Sequence, residues 1–138
     1  MTHWFLLTIV TLVFWGITGL TQKLSTNNIS AQFSFLGFAL AFLPVAAVIL
    51  IGFPVDFGGG GAILGLGVLG GVLNGLGTLC SFAAFEAGGK ASVVVPILYL
   101  YPLVTVLAAR VFLNEHVAAH HWVGILLAPA AAWLLSSE

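Results

Sequence analysis

The chain has 138 residues, of which 61% are hydrophobic and only 5% charged, with a formal net charge of −1 and a mean hydropathy of +1.20. A soluble domain carries about a quarter charged residues, so this composition excludes a water-soluble globule. Three basic residues are too few for a nucleic-acid footprint.

The three basic and four acidic side chains leave chargeless stretches at residues 4–22, 24–55, 57–85, 91–109 and 116–137. Crossing the hydrocarbon core takes roughly 20 helical residues at about 1.5 Å rise each. A charge at mid-bilayer costs about 2.5–3.5 kcal/mol, which is why runs this clean mark membrane segments. The expected fold is an all-α integral membrane protein with five transmembrane helices at about 4–21, 31–52, 62–85, 91–113 and 117–135, forming one transmembrane domain over 1–138. Strands of a closed barrel are excluded, because the runs are about twice a barrel strand in length and do not alternate. The apolar N-terminus lacks the basic flank and cleavage site of a signal peptide, so it is expected to remain as a membrane helix.

The first span places Thr8, Thr11, Trp15, Thr18 and Gln22 at spacings of three and four, on one helix face. Threonine hydroxyls can bond back to their own helix, which is one account of the stripe. Five such residues in line, with an indole among them, favour a face turned to a polar cavity. The loop that follows, Gln22 to Ser30, is polar and ends in residues able to cap the next helix. Lys23, directly after the stripe, is the best candidate among the charges for a substrate contact. The second loop is Phe53-Pro54-Val55-Asp56 followed by Gly58 to Gly61, too flexible to continue a helix.

The third span contains Gly65-x-Gly67-x-x-Gly70, which matches the dinucleotide-binding fingerprint in letters only. That motif works as a turn between a strand and a helix N-terminus, not inside an apolar helical run. Gly67, Gly71 and Gly75 form a ridge of small residues along which another helix can approach closely. The ridge serves either fixed packing or a sliding surface, and Asn74 and Thr78 lie on the adjacent ridge. The third loop, Glu86 to Lys90, holds Gly88 and Gly89 as natural helix C-caps. Glu86 and Lys90, four apart, are placed to pair.

In the fourth span Pro96 and Pro102 bracket Tyr99 and Tyr101. Each proline frees a carbonyl one turn earlier, and such carbonyls in hydrocarbon need protein or water beside them. A kink lining a cavity is the expected result. Arg110 lies within snorkelling reach of the interface. The last turn is only Asn114-Glu115-His116, so the last two helices should form a tight antiparallel pair. His116 and His120 lack a third ligand on their face, so headgroup contacts are expected there rather than zinc. Cys80, the single cysteine, is expected to pack as a small hydrophobe. No catalytic residue, metal or cofactor is expected.

Five crossings place the termini on opposite sides, with Lys23 and Lys90 on one face and Arg110 near the other. Two basic residues against one is a weak orientation signal. Insertion in both orientations is therefore expected.

The whole chain resembles one five-helix EamA-type unit of the drug/metabolite transporter superfamily. The likeness is strongest from Pro102-Leu103-Val104-Thr105 through Leu113-Asn114-Glu115 to Trp122-Val123-Gly124, with Trp15-Gly16 and Lys23 similar to the family's first helix. The family usually has Leu-Gly-Glu at the turn. Asn114 fits there physically, since asparagine is the next choice after glycine where φ is positive. The resemblance implies ten helices in two inverted five-helix repeats carrying small metabolites. One unit reaches that architecture by pairing with an oppositely inserted copy or a related five-helix subunit. The expected function is a subunit of a secondary transporter for a small polar or amphipathic metabolite, multi-pass in the plasma (inner) membrane. Thr11, Trp15, Thr18, Lys23, Asn74, Tyr99 and Tyr101 are its expected substrate-binding residues. The alternative is a non-transporting subunit that docks a partner through the glycine-rich third helix.

Overall fold

A computed structural model describes residues 3–55, 58 and 60–136, helices joined by turns and short irregular links with no strand among the described residues. The helices are α1 (His3–Thr26), α2 (Ala31–Leu40), α3 (Phe42–Gly52), α4 (Gly60–Glu86), α5 (Ala91–Leu98), α6 (Tyr101–Phe112) and α7 (Ala119–Ser136). Four stretches are long and apolar enough to cross a membrane: Trp4–Thr26, Ala31–Gly52, Gly60–Glu86 and Ala91–Phe112. The last, Trp122–Leu135, is shorter. The chain forms two compact units, Met1–Gly88 and Gly89–Glu138.

In the first unit α2 packs on α4, α1 on both, and α3 continues from α2. The second expected span is therefore two helices in tandem, divided at Ala41. Pro44 is the physical reason: it has no N–H to return to Leu40 O, and its ring crowds that carbonyl. The first loop is shorter than its polar sequence suggested, because α1 runs on past Gln22 to Thr26. Hydroxyls at the end of α1 bond inward to the helix, Thr21 Oγ1 to Thr18 O at 2.9 Å and Ser25 Oγ to Gln22 O at 2.9 Å. These residues thus complete a helical turn instead of breaking it. Ser30 caps α2 as expected, accepting from Phe33 N–H at 3.3 Å. Asp56 of the second loop lies outside the described residues.

Gly88, at φ +99°, ends α4 in a conformation that side-chain-bearing residues avoid. In the second unit α7 packs along α5. Asn114 takes φ 53° just past α6, the left-handed conformation the sequence called for. That turn is longer than three residues, since α6 ends at Phe112 and α7 begins at Ala119. The side chains of His120 and His121 lie outside the described ones.

Most apolar side chains face outward, as in Ile51 at 88% exposure. Outward apolar surface is what lipid requires. Close packing is confined to small areas, chiefly Ala31, Phe82 and Phe85 in the first unit and Ala132 in the second.

Candidate functional site

The polar stripe of α1 meets α4 at one end of the first unit. Ser81 Oγ donates to Thr78 O at 2.7 Å and lies 3.3 Å from Gln22 Oε1. One residue on, Lys23 Nζ donates to Phe85 O at 3.2 Å. Phe85 lies in the last turn of α4, at the negative end of the helix dipole, and its carbonyl also accepts from Gly88 N–H at 3.1 Å. Glu86 closes the third side: a carboxylate oxygen accepts from Ala31 N–H, at the start of α2, at 3.1 Å. Thr26, Ser34, Ser81, Phe82 and Phe85, all at this end of the unit, are buried. Phe82 also meets Phe38 of α2 edge to face, with ring centroids 5.9 Å apart.

The Gln22–Ser81 contact fixes the register of α1 on α4. Both helices run toward this end, so counting back seven residues from each contact brings Trp15 and Asn74 to the same depth. That depth is about 10 Å from the contact at 1.5 Å per residue. Asn74, Thr78 and Ser81 share one face of α4 by their spacing of four and three, just as Thr11, Trp15, Thr18 and Gln22 share one face of α1. Thr18 and Gln22 are half-buried, while Thr11, Trp15 and Asn74 are exposed.

The threonine hydroxyls bond back to their own helix: Thr8 to Trp4 O, Thr11 to Leu7 O and Thr18 to Phe14 O, each at 2.9 Å. The donor is thereby used, but each oxygen keeps acceptor capacity. A solute on this face would meet hydroxyl acceptors, an indole, a carboxamide and, at the deep end, an ammonium.

In the second unit the chain breaks between α5 and α6 at Tyr99 and Leu100, as the bracketing prolines required. Leu103 N–H turns to Leu100 O at 2.9 Å, three residues back, and Pro102 has no N–H for Leu98 O. The Tyr99 and Tyr101 rings lie 6.3 Å apart at 43°. Beside the break is a groove of about 380 Å³, lined by Tyr99, Pro102, Leu103 and Val106 on one side and Gly124 and Ala128 on the other.

The seven expected residues therefore fall into two local groups, Thr11, Trp15, Thr18, Lys23 and Asn74 in the first unit and Tyr99 with Tyr101 in the second. Sequence reasoning passed over Ser81 and the Phe85 carbonyl. Ser81 was legible, three residues past Thr78 on the Asn74 face. A backbone acceptor for Lys23 leaves no trace in residue types. Sequence reasoning also passed over the hold of Glu86 on the start of α2.

Gly65, Gly67 and Gly70 lie well inside α4, with no strand or turn beside them, so the dinucleotide fingerprint has no physical basis here. A Cβ placed at Gly67 or Gly71 meets nothing within 4 Å, and at Gly75 only the Phe35 ring edge at 3.9 Å.

The model of the EamA-like transporter family matches residues 2–137. No curated protein and no solved structure matches the chain. With that match over nearly every residue and four membrane-capable helical stretches, the chain is a multi-pass membrane protein of the EamA-like transporter family.

Proposed function

We propose that this protein is a subunit of a secondary transporter that moves a small polar or amphipathic metabolite across the plasma membrane by alternating access. The family match over residues 2–137 carries this reading. The residue chemistry supports it. In the first unit Thr11 and Thr18 offer acceptor oxygens, Trp15 an aromatic face and Asn74 a carboxamide at the same depth. Lys23 uses one N–H on Phe85 O and has two more for an anionic or carbonyl group of the substrate. In the second unit Tyr99 and Tyr101 are proposed as further substrate contacts, next to the Leu98 carbonyl that Pro102 cannot satisfy.

The functional assembly in this proposal is an antiparallel homodimer, or a pair with a related five-helix subunit. Two observations support it: the two-against-one balance of basic residues and the open glycine face of α4. Adding two lysines beside Asp56 should force one orientation, and co-expression with an oppositely biased variant should restore activity. A single fixed side for a C-terminal reporter on the unsubstituted chain rules out the antiparallel homodimer.

A second reading is favoured by the same open face at Gly67 and Gly71: a non-transporting subunit whose α4 docks a partner. Flux separates the two. Compounds that raise the thermal stability of the purified protein are loaded into proteoliposomes containing it alone. Saturable, protein-dependent flux of any of them supports transport, whereas stabilisation by partner protein with no flux supports docking.

A further inference from the structure

We infer that Lys23 and Glu86 form an interhelical clasp that closes one end of the first unit and acts as its gate. The inference rests on the alternating-access reading and adds where the barrier stands and what holds it.

The two charges are crossed over between helices. Lys23 of α1 donates to Phe85 O in the last turn of α4 at 3.2 Å, and Glu86 of α4 accepts from Ala31 N–H in the first turn of α2 at 3.1 Å. The signs are the favourable ones, a cation at a helix C-terminus and an anion at a helix N-terminus. Each charge thus bonds backbone of a different helix, Lys23 sharing Phe85 O with Gly88 N–H, and three helix ends are tied together by two side chains. The Gln22–Ser81 contact at 3.3 Å lies directly beside them.

Burial in the first unit follows the clasp. Its buried residues lie between Gly19 and Ser34 on one side and between Ser81 and Phe85 on the other. Toward the far end of α4, a Cβ at Gly65, Gly67, Gly70 or Gly71 meets nothing within 4 Å. Helices α1, α2 and α4 therefore bury most at the clasp; α2 still meets α4 at Phe38–Phe82 and at Phe35–Gly75, and α4 is open from Gly71 back to Gly65. A body held at one end by a few polar contacts over a small core can exchange between closed and open arrangements, because little interdigitated packing resists the movement.

The clasp also forms the floor of the polar stripe. Thr18 lies one turn from Gln22, with Trp15 and Asn74 a turn beyond. A substrate acceptor group arriving along the stripe bonds the same Lys23 ammonium that holds Phe85 O and draws it toward the stripe, so occupancy and opening are coupled through a single side chain. Differential contact with the two states is what a ligand needs to shift them.

The test is the distance across this end. Spin labels at Asn28 and Ala87, both exposed, are placed in a Cys80→Ser background in lipid nanodiscs, and the distance distribution is measured by pulsed electron–electron resonance. The otherwise unsubstituted protein should give one narrow distance. Lys23→Met and Glu86→Ala should each add a longer population of at least about a third, and Lys23→Arg and Glu86→Gln, which keep the donor and the acceptor, should restore the narrow one. An unchanged distribution in Lys23→Met, Glu86→Ala and the double variant, with helix content intact, overturns the clasp. Should the charge-removing variants fail to fold, Gln22→Cys with Ser81→Cys and both charges retained gives the answer. A short bis-methanethiosulfonate linker should bridge that pair nearly completely, and a yield below about a tenth overturns the clasp. Reactive cysteines at 11, 15 and 18 with a static 28–87 distance sink the gate alone. Inert cysteines with a distance that lengthens as stated sink the transport reading and leave the clasp standing.

Discussion

Phe85→Ala is the substitution whose cost the structure specifies most narrowly. Phe85 is 1% exposed and is the largest fully buried side chain among the described residues. In a water-soluble core, Phe→Ala costs about 3–5 kcal/mol, part of it the lost transfer of apolar surface out of water. Lipid tails are as apolar as a phenylalanine ring, so a helix already in the bilayer forfeits little of that transfer part. The cavity part remains: roughly 100 Å³ at about 24 cal/mol per Å³ gives about 2.4 kcal/mol, or about 50-fold in the folding equilibrium. Phe33→Ala is the matched control, because Phe33 is on the same unit at 64% exposure. It should change stability by less than about 0.5 kcal/mol. Reversible unfolding in mixed micelles, followed by steric trapping or detergent titration, measures both. Equal costs for the two substitutions would refute the convergence of α1, α2 and α4 at this end.

Two further predictions concern backbone and surface. Gly71→Leu should leave the folding of the subunit unchanged, because a Cβ there meets nothing within 4 Å. The same substitution should abolish dimerisation if the α4 ridge is the contact between copies, as read by single-molecule photobleaching in vesicles; an intact dimer removes the ridge from the assembly. Asn114→Gly should be neutral or slightly stabilising, whereas Asn114→Val should cost about 1–2 kcal/mol, because φ 53° crowds a branched Cβ. Equal stability of those two variants would contradict the left-handed turn after α6.

The membrane class and the helix positions were legible because they rest on long-range sums: chargeless runs, glycine caps and bracketing prolines. Asn114 was legible as a positive-φ position because only a short list of residues tolerates one. The extension of α1 to Thr26 was hidden by polar residues whose hydroxyls turn out to serve the helix itself. The division at Ala41 was announced by Pro44, a signal outweighed by an otherwise unbroken apolar run. Of the candidate site, the stripe on α1 could be read from its period. Its register against α4 could not, since that depends on one contact between Gln22 and Ser81. The contact of Glu86 with the start of α2 was hidden for a related reason: it joins residues 55 apart in sequence, which only the fold brings together.

The central claim is that the polar face of α1 lines an aqueous path for a solute. Single cysteines at residues 11, 13, 15, 17 and 18, in a Cys80→Ser background, test it directly when exposed to a water-soluble, membrane-impermeant thiol reagent in lipid nanodiscs. Thr11→Cys, Trp15→Cys and Thr18→Cys should react and be shielded by a stabilising ligand, while Val13→Cys and Ile17→Cys, off the stripe on the same helix, should stay inert. Uniform inertness, or reaction at all five positions, would contradict the account.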